Sequence, residues 1–255
     1  MRIARFMVEG KPVCGRLEGD WLHPFPADAL EDRRELSPPV PVIGTEMLPP
    51  CRPGKIVAVG VNYREHARER GKALPAEPLI FLKPPSAALA PRGRIVLPSG
   101  VGRVDHEAEM AVVIGRTARH LAEGESGLFI LGYTCFNDVT ARELQDRDVQ
   151  FARAKGFDTF APFGPWIETD LDPLDLAITA SVNGQVRQSS RTREMVFPPA
   201  HLVAFISRVM TLFPGDLIAT GTPSGIGPLL PGDIVEVTIQ GIGTLSNSVV
   251  AASGG

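Results

Sequence analysis

The sequence predicts an α+β, β-rich fold, on three observations. Its 24 prolines and 26 glycines among 255 residues break the chain too often for long helices and suit short strands joined by turns. Its last third, Leu176 to Val250, alternates apolar runs with the turns Asn183-Gly184, Pro214-Gly215-Asp216 and Pro231-Gly232-Asp233. The regular strand–helix alternation of a doubly wound sheet is missing.

Taken in order, residues 1 to about 35 read as a small β unit, with Ile3–Val8 and Val13–Leu17 separated by Gly10-Lys11-Pro12 and followed by Gly19-Asp20. Leu36–Pro41 and Leu48–Gly54 form a proline-rich connector expected to run extended over the surface, because proline fixes φ and removes a backbone donor. This places a small N-terminal β domain at residues 1–50 and a main domain at 51–255. The main domain opens with a buried strand, Ile56–Val61, followed by a short polar helix, Arg64 to Arg70, that ends at Gly71 as a C-cap. Leu79–Leu82, Ile95–Leu97 and Glu107–Ile114 are strand candidates. Residues 138 to 154 carry the clearest helix, beginning at Asn137-Asp138 and stopping before Gly156.

Composition excludes several classes. A formal net charge of −3 offers no basic field for nucleic acid. No apolar run approaches the ~20 residues of a membrane-spanning helix, and the N-terminal residues lack the apolar core of a signal peptide. Three cysteines, Cys14, Cys51 and Cys135, have neither C-x-x-C spacing nor histidine neighbours, so reduced thiols in the cytoplasm are expected. Nucleotide-binding glycine loops and a G-x-S-x-G elbow are absent, the serine of Gly221-Thr222-Pro223-Ser224-Gly225 falling one place late.

Four constellations could carry chemistry. Glu107-Ala108-Glu109 places two carboxylates on one strand face, opposite the core face Ala108, Met110, Val112, Ile114. Such a pair calls for a positive partner and its hard oxygens suit Mg2+, Mn2+ or Ca2+; an exposed strand end with solvated acids is the alternative. Asp138, Arg142 and Gln145, at i, i+4 and i+7, share a helical face, though Asp138 as an ordinary helix cap explains the first two equally. His66 and Glu69, at i and i+3, can form a dyad in which the carboxylate orients the imidazole; a solvated charged helix has the same pattern. Among only five lysines, Lys83 ends a strand and Lys155 precedes Gly156, with surface exposure the default for both.

Together the stretches Val59–Ala67, Phe81-Leu82-Lys83-Pro84, Val104–Glu109, Gly132–Arg142, Lys155–Thr159 and Thr220–Gly225 resemble the fumarylacetoacetate hydrolase superfamily, in its order and over residues 56 to 247. The resemblance implies a mixed β-sandwich roll decorated with helices, usually a homodimer, often preceded by a small N-terminal β domain. It implies a divalent metal, Mg2+ or Mn2+, on Glu107, Glu109 and Asp138. It further implies substrate-facing or charge-stabilising roles for Arg142, Gln145 and Lys155, with Lys83 and Thr222 beside them, and a base dyad of His66 and Glu69 on a lid. His106 stands where the family often has an aromatic, and strand alternation points it away from the metal.

The implied substrate is a 2-oxo carboxylic acid, a 2,4-dioxo or 2-hydroxydienoic acid, reacting through a metal-stabilised enolate. Within the family this supports acylpyruvate or fumarylpyruvate hydrolysis and the 2-hydroxyhepta-2,4-diene-1,7-dioate isomerisation of aromatic catabolism. Decarboxylation of an oxaloacetate-like acid is an alternative, and a non-catalytic divalent-cation-binding β protein or an inactive dimeric scaffold are others. The stretch Val186–Thr192 is expected to be a selectivity loop; its Arg187 and Arg191 could grip a second carboxylate, with surface arginine the default for both.

Overall fold

The structure is a computed structural model that describes residues 1–25, 30, 33–34 and 38–252. Its centre is the strand Ala108–Ile114, every residue of which is buried. It pairs antiparallel with Ile130–Asn137 on one side and Leu217–Ala219 on the other. Leu217–Ala219 runs parallel to Ile56–Gly60, which pairs with the edge strand Leu79–Lys83. On the far side Ile130–Asn137 leads to Ala161–Glu168 and then to Arg2–Val8. These strands belong to one large mixed sheet; a five-stranded sheet and a three-stranded sheet complete the β framework.

Both faces of the central strand are covered, which corrects the expectation of one core face. Ala108, Met110, Val112 and Ile114 pack against Ile178, Ala180, Val237 and Ile239 of the five-stranded sheet, giving a sandwich. Ala111 and Val113, on the opposite face with Glu109, join Ile3, Phe163, Ile167 and Leu217. A central strand buried on both sides reads as a near-continuous apolar run, so a carboxylate within it is costly to ionise unless it is partnered.

Several predicted elements are present. Arg64–Glu69 is a helix, Gly71 after it takes φ +61°, and Asn183-Gly184, with φ +52° and +75°, turns the hairpin Ala177–Val182/Gln185–Arg191 as a two-residue loop with both φ positive. Others differ. The helix expected over 138–154 is two short helices, Arg142–Arg147 and Ala152–Lys155, preceded by the short strand Thr140–Ala141. Asp138 therefore lies in the corner between strands, not on a helical face with Arg142 and Gln145. The longest helix is instead Pro199–Val209, where only strands were expected. Its signals were Pro199 at the first helical position and apolar residues at 202, 203 and 206, all three buried.

The N-terminal strand Arg2–Val8 hydrogen-bonds both to Lys11–Glu18 and to Ala161–Glu168, so the large sheet runs across residue 50. Of the connector, Leu36 and Ser37 lie outside the described residues; Val40–Pro41 and Glu46–Leu48 are short extended strands. Among the described residues, no helix is long and apolar enough to cross a membrane. Cys14, Cys51 and Cys135 are free and buried.

One polar anchor holds the sheet beneath the loop that follows Leu217–Ala219. Asp216 is fully buried and ion-paired to Lys55, while its carboxylate also accepts the backbone N–H of Lys55 (3.0 Å) and of Phe213 (2.8 Å). Lys55 is 23% exposed and can turn to water, but removing the carboxylate leaves the Lys55 and Phe213 N–H groups without their acceptor, at about 1–3 kcal/mol for each unsatisfied group. Asp216→Ala is expected to lower folding stability by about 2–4 kcal/mol through those lost hydrogen bonds, seen as a lower denaturation midpoint in urea, whereas replacing exposed Asp172 is expected to move it little.

Candidate active site

Three segments converge at one end of the central strand. Glu107 occupies the break between Val104–His106 and Ala108–Ile114, Glu109 is the second residue of the latter strand, and Asp138 follows Ile130–Asn137. The pairing Ala108↔Asn137 sets the acids side by side. Two backbone-directed bonds lock the corner: Asp138 N–H donates to the Glu107 carbonyl (2.9 Å), and Glu107 N–H donates to Asn137 Oδ1 (3.0 Å). One carboxylate oxygen from each of Glu107, Glu109 and Asp138 lies within 4.8 Å of the others, and all three residues are buried.

The expected positive partners are there. Lys155, at the end of the helix Ala152–Lys155, donates from Nζ to Asp138 Oδ2 (2.5 Å), Glu107 Oε2 (2.9 Å) and Thr140 Oγ1 (2.8 Å). Lys83 donates to Asp138 Oδ1 (2.6 Å) and to the Val139 carbonyl (3.2 Å). Neither lysine is a surface residue: Lys83 is 1% exposed and Lys155 3%. Arg142 bridges Asp105 (2.7 Å from Nε) and Glu107, and donates to Gln145 Oε1 (2.8 Å).

Charge and burial compete at each group. Burial resists ionisation of Glu107, but Arg142 and Lys155 outweigh it and hold the carboxyl well below the usual range. Burial likewise opposes the charge on Lys155, which Asp138 and Glu107 restore, leaving the ammonium favoured. For Lys83 burial wins over the pull of Asp138, and its pKa is lowered. Glu109 differs from its neighbours. It accepts a hydrogen bond from Gly221 N–H (2.8 Å), has no ion-pair partner within 4 Å among the described residues, and is pushed well above the ordinary carboxyl range, first by burial and then by Asp138 and Glu107.

Four buried carboxylates, Asp105, Glu107, Glu109 and Asp138, thus face three buried cations, Lys83, Arg142 and Lys155. The carboxylate without a cation is one of the three that converge. An all-oxygen, anionic donor set fits a hard divalent cation such as Mg2+ or Mn2+. At Mg–O distances of ~2.0–2.1 Å, oxygens on opposite sides of an octahedron stand about 4 Å apart, so small side-chain shifts would bring these three into reach of one ion.

Of the remaining expected residues three line the same cleft, whereas Lys83, expected beside the substrate, is buried against Asp138 and does not line it. His66, Gln145 and Thr222 face it together with the acids, Arg142 and Lys155. His66 Nδ1 lies 2.9 Å from Glu69 Oε2, so the dyad forms, and Glu69 Oε1 accepts the Gly225 N–H (2.9 Å). Thr222 donates to the Ala108 carbonyl (2.9 Å) and accepts from Gln188 Nε2 (2.8 Å), so its hydroxyl is engaged by the protein. The cleft is tight, with about 30 Å3 open to water-sized groups.

Two turns shape the rim. Val61 adopts φ +58°, uncommon and strained for a β-branched residue, where the chain swings from Ile56–Gly60 into the helix that carries His66. Asn62 pins this turn, donating from Nδ2 to the Thr220 (2.7 Å) and Phe197 (3.0 Å) carbonyls and accepting the Phe197 N–H (2.8 Å). Gly221 takes φ +95°, and a Cβ there would stand 2.7 Å from Asn62 Cβ. That close approach delivers the Gly221 N–H to Glu109.

Some expectations fail. The stretch Val186–Thr192 is mostly strand, Gln185–Arg191, and not a loop. Arg191 pairs with exposed Asp175 and Arg187 with Gln185 (3.0 Å), and neither lines the cleft. Strand alternation explains this, because the inward residue is fully buried Gln188, which accepts the Ala108 N–H (2.9 Å) and contacts His106 Nδ1 (3.1 Å). His106 is thereby held away from the acids, as its strand position implied. Residues the sequence did not reveal are Asp105, which orients Arg142 and lies one strand face from His106, and the cleft-lining Arg70, Lys72, Phe81 and Phe151. The Asp105/Glu107 alternation was a usable signal for the first; the others are brought in by tertiary packing alone.

Known proteins agree with this architecture. A family model described as fumarylacetoacetate (FAA) hydrolase, C-terminal, matches residues 55–250. The crystal structure of 5-carboxymethyl-2-hydroxymuconate delta-isomerase from Mycobacterium smegmatis superposes with a TM-score of 0.93 at 43% identity, over 98% of this chain and 100% of that one. Maleylpyruvate hydrolase from Sphingobium sp. SYK-6, solved with manganese(II) and pyruvate, gives 0.81 at 32% identity, over 99% and 100%. The mitochondrial oxaloacetate tautomerase Fahd2a of Rattus norvegicus is 40% identical over 233 residues, 86% of this chain and 74% of the relative. By these matches the chain belongs to the fumarylacetoacetate hydrolase family.

Proposed function

We propose that the protein is a divalent-metal-dependent enzyme acting on 2-oxo carboxylic acids, as a 2-hydroxydienedioate isomerase or an acylpyruvate-type C–C hydrolase. The observation that carries this reading is the meeting of Glu107, Glu109 and Asp138 in one buried cleft with His66, Arg142 and Lys155. Glu107, Glu109 and Asp138 would hold Mg2+ or Mn2+. Bound there, the ion supplies Lewis-acid polarisation of the substrate's 2-oxo group and charge to offset its carboxylate.

The chain's own groups supply the rest. Lys155 and Arg142 place fixed positive charge in a water-poor cleft, where it stabilises developing negative charge more strongly than in water. Arg142 is held by Asp105 and Gln145 on either side of its guanidinium, so little reorganisation is needed when substrate binds. His66 faces the cleft with Nδ1 against Glu69, which leaves Nε2 to take a proton from water or from a substrate carbon. Water activation leads to hydrolysis of a 4-oxo acid; a proton moved between carbons leads to isomerisation. Phe81 and Phe151, ring centroids 5.4 Å apart, give the carbon chain an apolar wall.

A second reading is oxaloacetate tautomerisation, favoured by the 40% identity to Fahd2a. It uses the same acids and the same proton-transfer dyad on a shorter substrate. Ultraviolet absorbance separates the readings. The enol band of a 2,4-dioxo acid is expected to decay with protein and Mg2+ or Mn2+ and to persist with EDTA, with product identification distinguishing cleavage from isomerisation. Accelerated keto–enol exchange of oxaloacetate alone would favour the second reading, and no change with any 2-oxo acid would exclude both.

Two variants test the assignment. Glu109→Gln is expected to keep a thermal unfolding midpoint at least equal to that of the EDTA-treated parent, because it removes a buried carboxyl that lacks a cation. It is also expected to lose the Mn2+-induced rise in that midpoint together with all EDTA-sensitive turnover. His66→Ala is expected to lower kcat by on the order of 10²–10⁴, the usual contribution of a general base, with Mn2+ affinity by calorimetry nearly intact. Parallel loss of both would show that His66 serves the metal site and not proton transfer.

A further inference from the structure

The mouth of the cleft is cationic, and the residues responsible lie just past the helix that carries His66. Arg70 follows His66 by four residues and its N–H donates to the His66 carbonyl (3.0 Å), so helical spacing holds to that point. Arg70 is therefore on the same face as His66, roughly 6 Å further along. Gly71, at φ +61°, then reverses the chain, and Lys72 returns over the Phe151 ring at 5.9 Å. Both Arg70 and Lys72 line the same cleft as the three acids; Lys155 Nζ lies 5.1 Å from the Phe81 ring and Lys72 Nζ 5.9 Å from the Phe151 ring, so the Phe81/Phe151 pair stands between the lysine that holds the acids and Lys72.

We propose that Arg70 and Lys72 form the subsite for the distal carboxylate of an extended 2-oxo dicarboxylic acid, with the 2-oxo acid end at the Glu107/Glu109/Asp138 floor. The arrangement has the order of such a molecule: charged floor, apolar wall, cationic mouth. A carboxylate three carbons beyond the C4 carbonyl reaches one helical turn past His66, whereas the second carboxylate of oxaloacetate, one methylene from its oxo carbon, stays at the floor. Arg70 already holds a carboxylate, that of Asp146 (3.0 Å), which is 65% exposed at its side chain. An exposed ion pair is weak, so a substrate carboxylate can displace Asp146 and take its place on the guanidinium. Arg187 and Arg191, the other candidates for this role, do not line the cleft.

This inference rests on the 2-oxo acid reading of the site, and matched ligands separate the two. The full chain loaded with Mn2+ would be titrated by calorimetry with 2-oxoheptanedioate and 2-oxoheptanoate, which differ only in the terminal carboxylate and lack the 4-oxo group needed for cleavage. Turnover of 2,4-dioxoheptanedioate and 2,4-dioxoheptanoate would be compared in parallel. The dioate is expected to bind more tightly, and Arg70→Gln with Lys72→Gln is expected to cut the dioate-to-monoacid ratio, in affinity and in kcat/KM, by about 10- to 100-fold, the range for lost hydrogen bonds to a charged group. Asp146→Asn, which removes the competing carboxylate, is expected to tighten dioate binding by up to about fivefold. Equal binding of the two acids by the parent, or a parallel loss for both in the double variant, overturns the subsite while the function stands. Failure of both acids to bind overturns the function and the subsite together; Arg70-dependent dioate binding without turnover of either 2,4-dioxo acid supports the subsite and overturns the hydrolase reading.

Discussion

The constraint on which the site depends is electrostatic: four carboxylates are taken out of water at the end of a doubly covered strand. Ionised groups in such a place are tolerated only when paired and hydrogen-bonded. Arg142 answers Asp105 and Glu107, Lys155 answers Glu107 and Asp138, and Lys83 answers Asp138. Glu109, with a backbone N–H but no cation on it, is where the set is incomplete, and it is one of the three carboxylates that could hold a metal ion.

The sheet makes this concentration of charge mechanically sustainable. Neighbouring strands fix the backbone at Glu107, Glu109 and Asp138, so the acids cannot relax apart without breaking ladder hydrogen bonds. Behind them Gln188 joins the acid-bearing strand to the Thr222 loop through Ala108 N–H, Thr222 Oγ1 and the Pro223 carbonyl. Asn62 ties the turn at Val61 to Thr220. The helix bearing His66 is fastened through Glu69 to Gly225 and, just past its end, through Arg70 to Asp146. Rigid floor and separately fastened rim are a physical basis for letting the rim respond to substrate while the floor stays fixed.

Sequence patterns were informative where the signal is short-range. The strand Ala108–Ile114, the turn at Asn183-Gly184, the helix from Arg64 and the i, i+3 contact of His66 with Glu69 follow from local geometry that a few residues dictate. The region 138–154 was misread because its charged, apolar-poor composition suits a helix, while the ladder with Ile130–Asn137 and the pairing of Val104 with Ala141 capture its first residues as sheet. Pro199–Val209 was missed for the opposite reason: its turn-rich flanks resemble strand boundaries, and its amphipathic spacing is only 11 residues long.

By itself the sequence determined the β-rich class, the family resemblance and the identity of the acidic, basic and dyad residues, because residue type and spacing are written in the chain. Tertiary structure alone decided that Lys83 and Lys155 are buried partners and not surface groups, that Gln188 faces inward while Arg187 and Arg191 face out, and that Arg70 and Lys72 line the cleft. The physical reason is that burial and ion pairing arise between segments many residues apart, such as Lys83 and Asp138. No local pattern encodes which charges will share a cavity once water has been excluded from it.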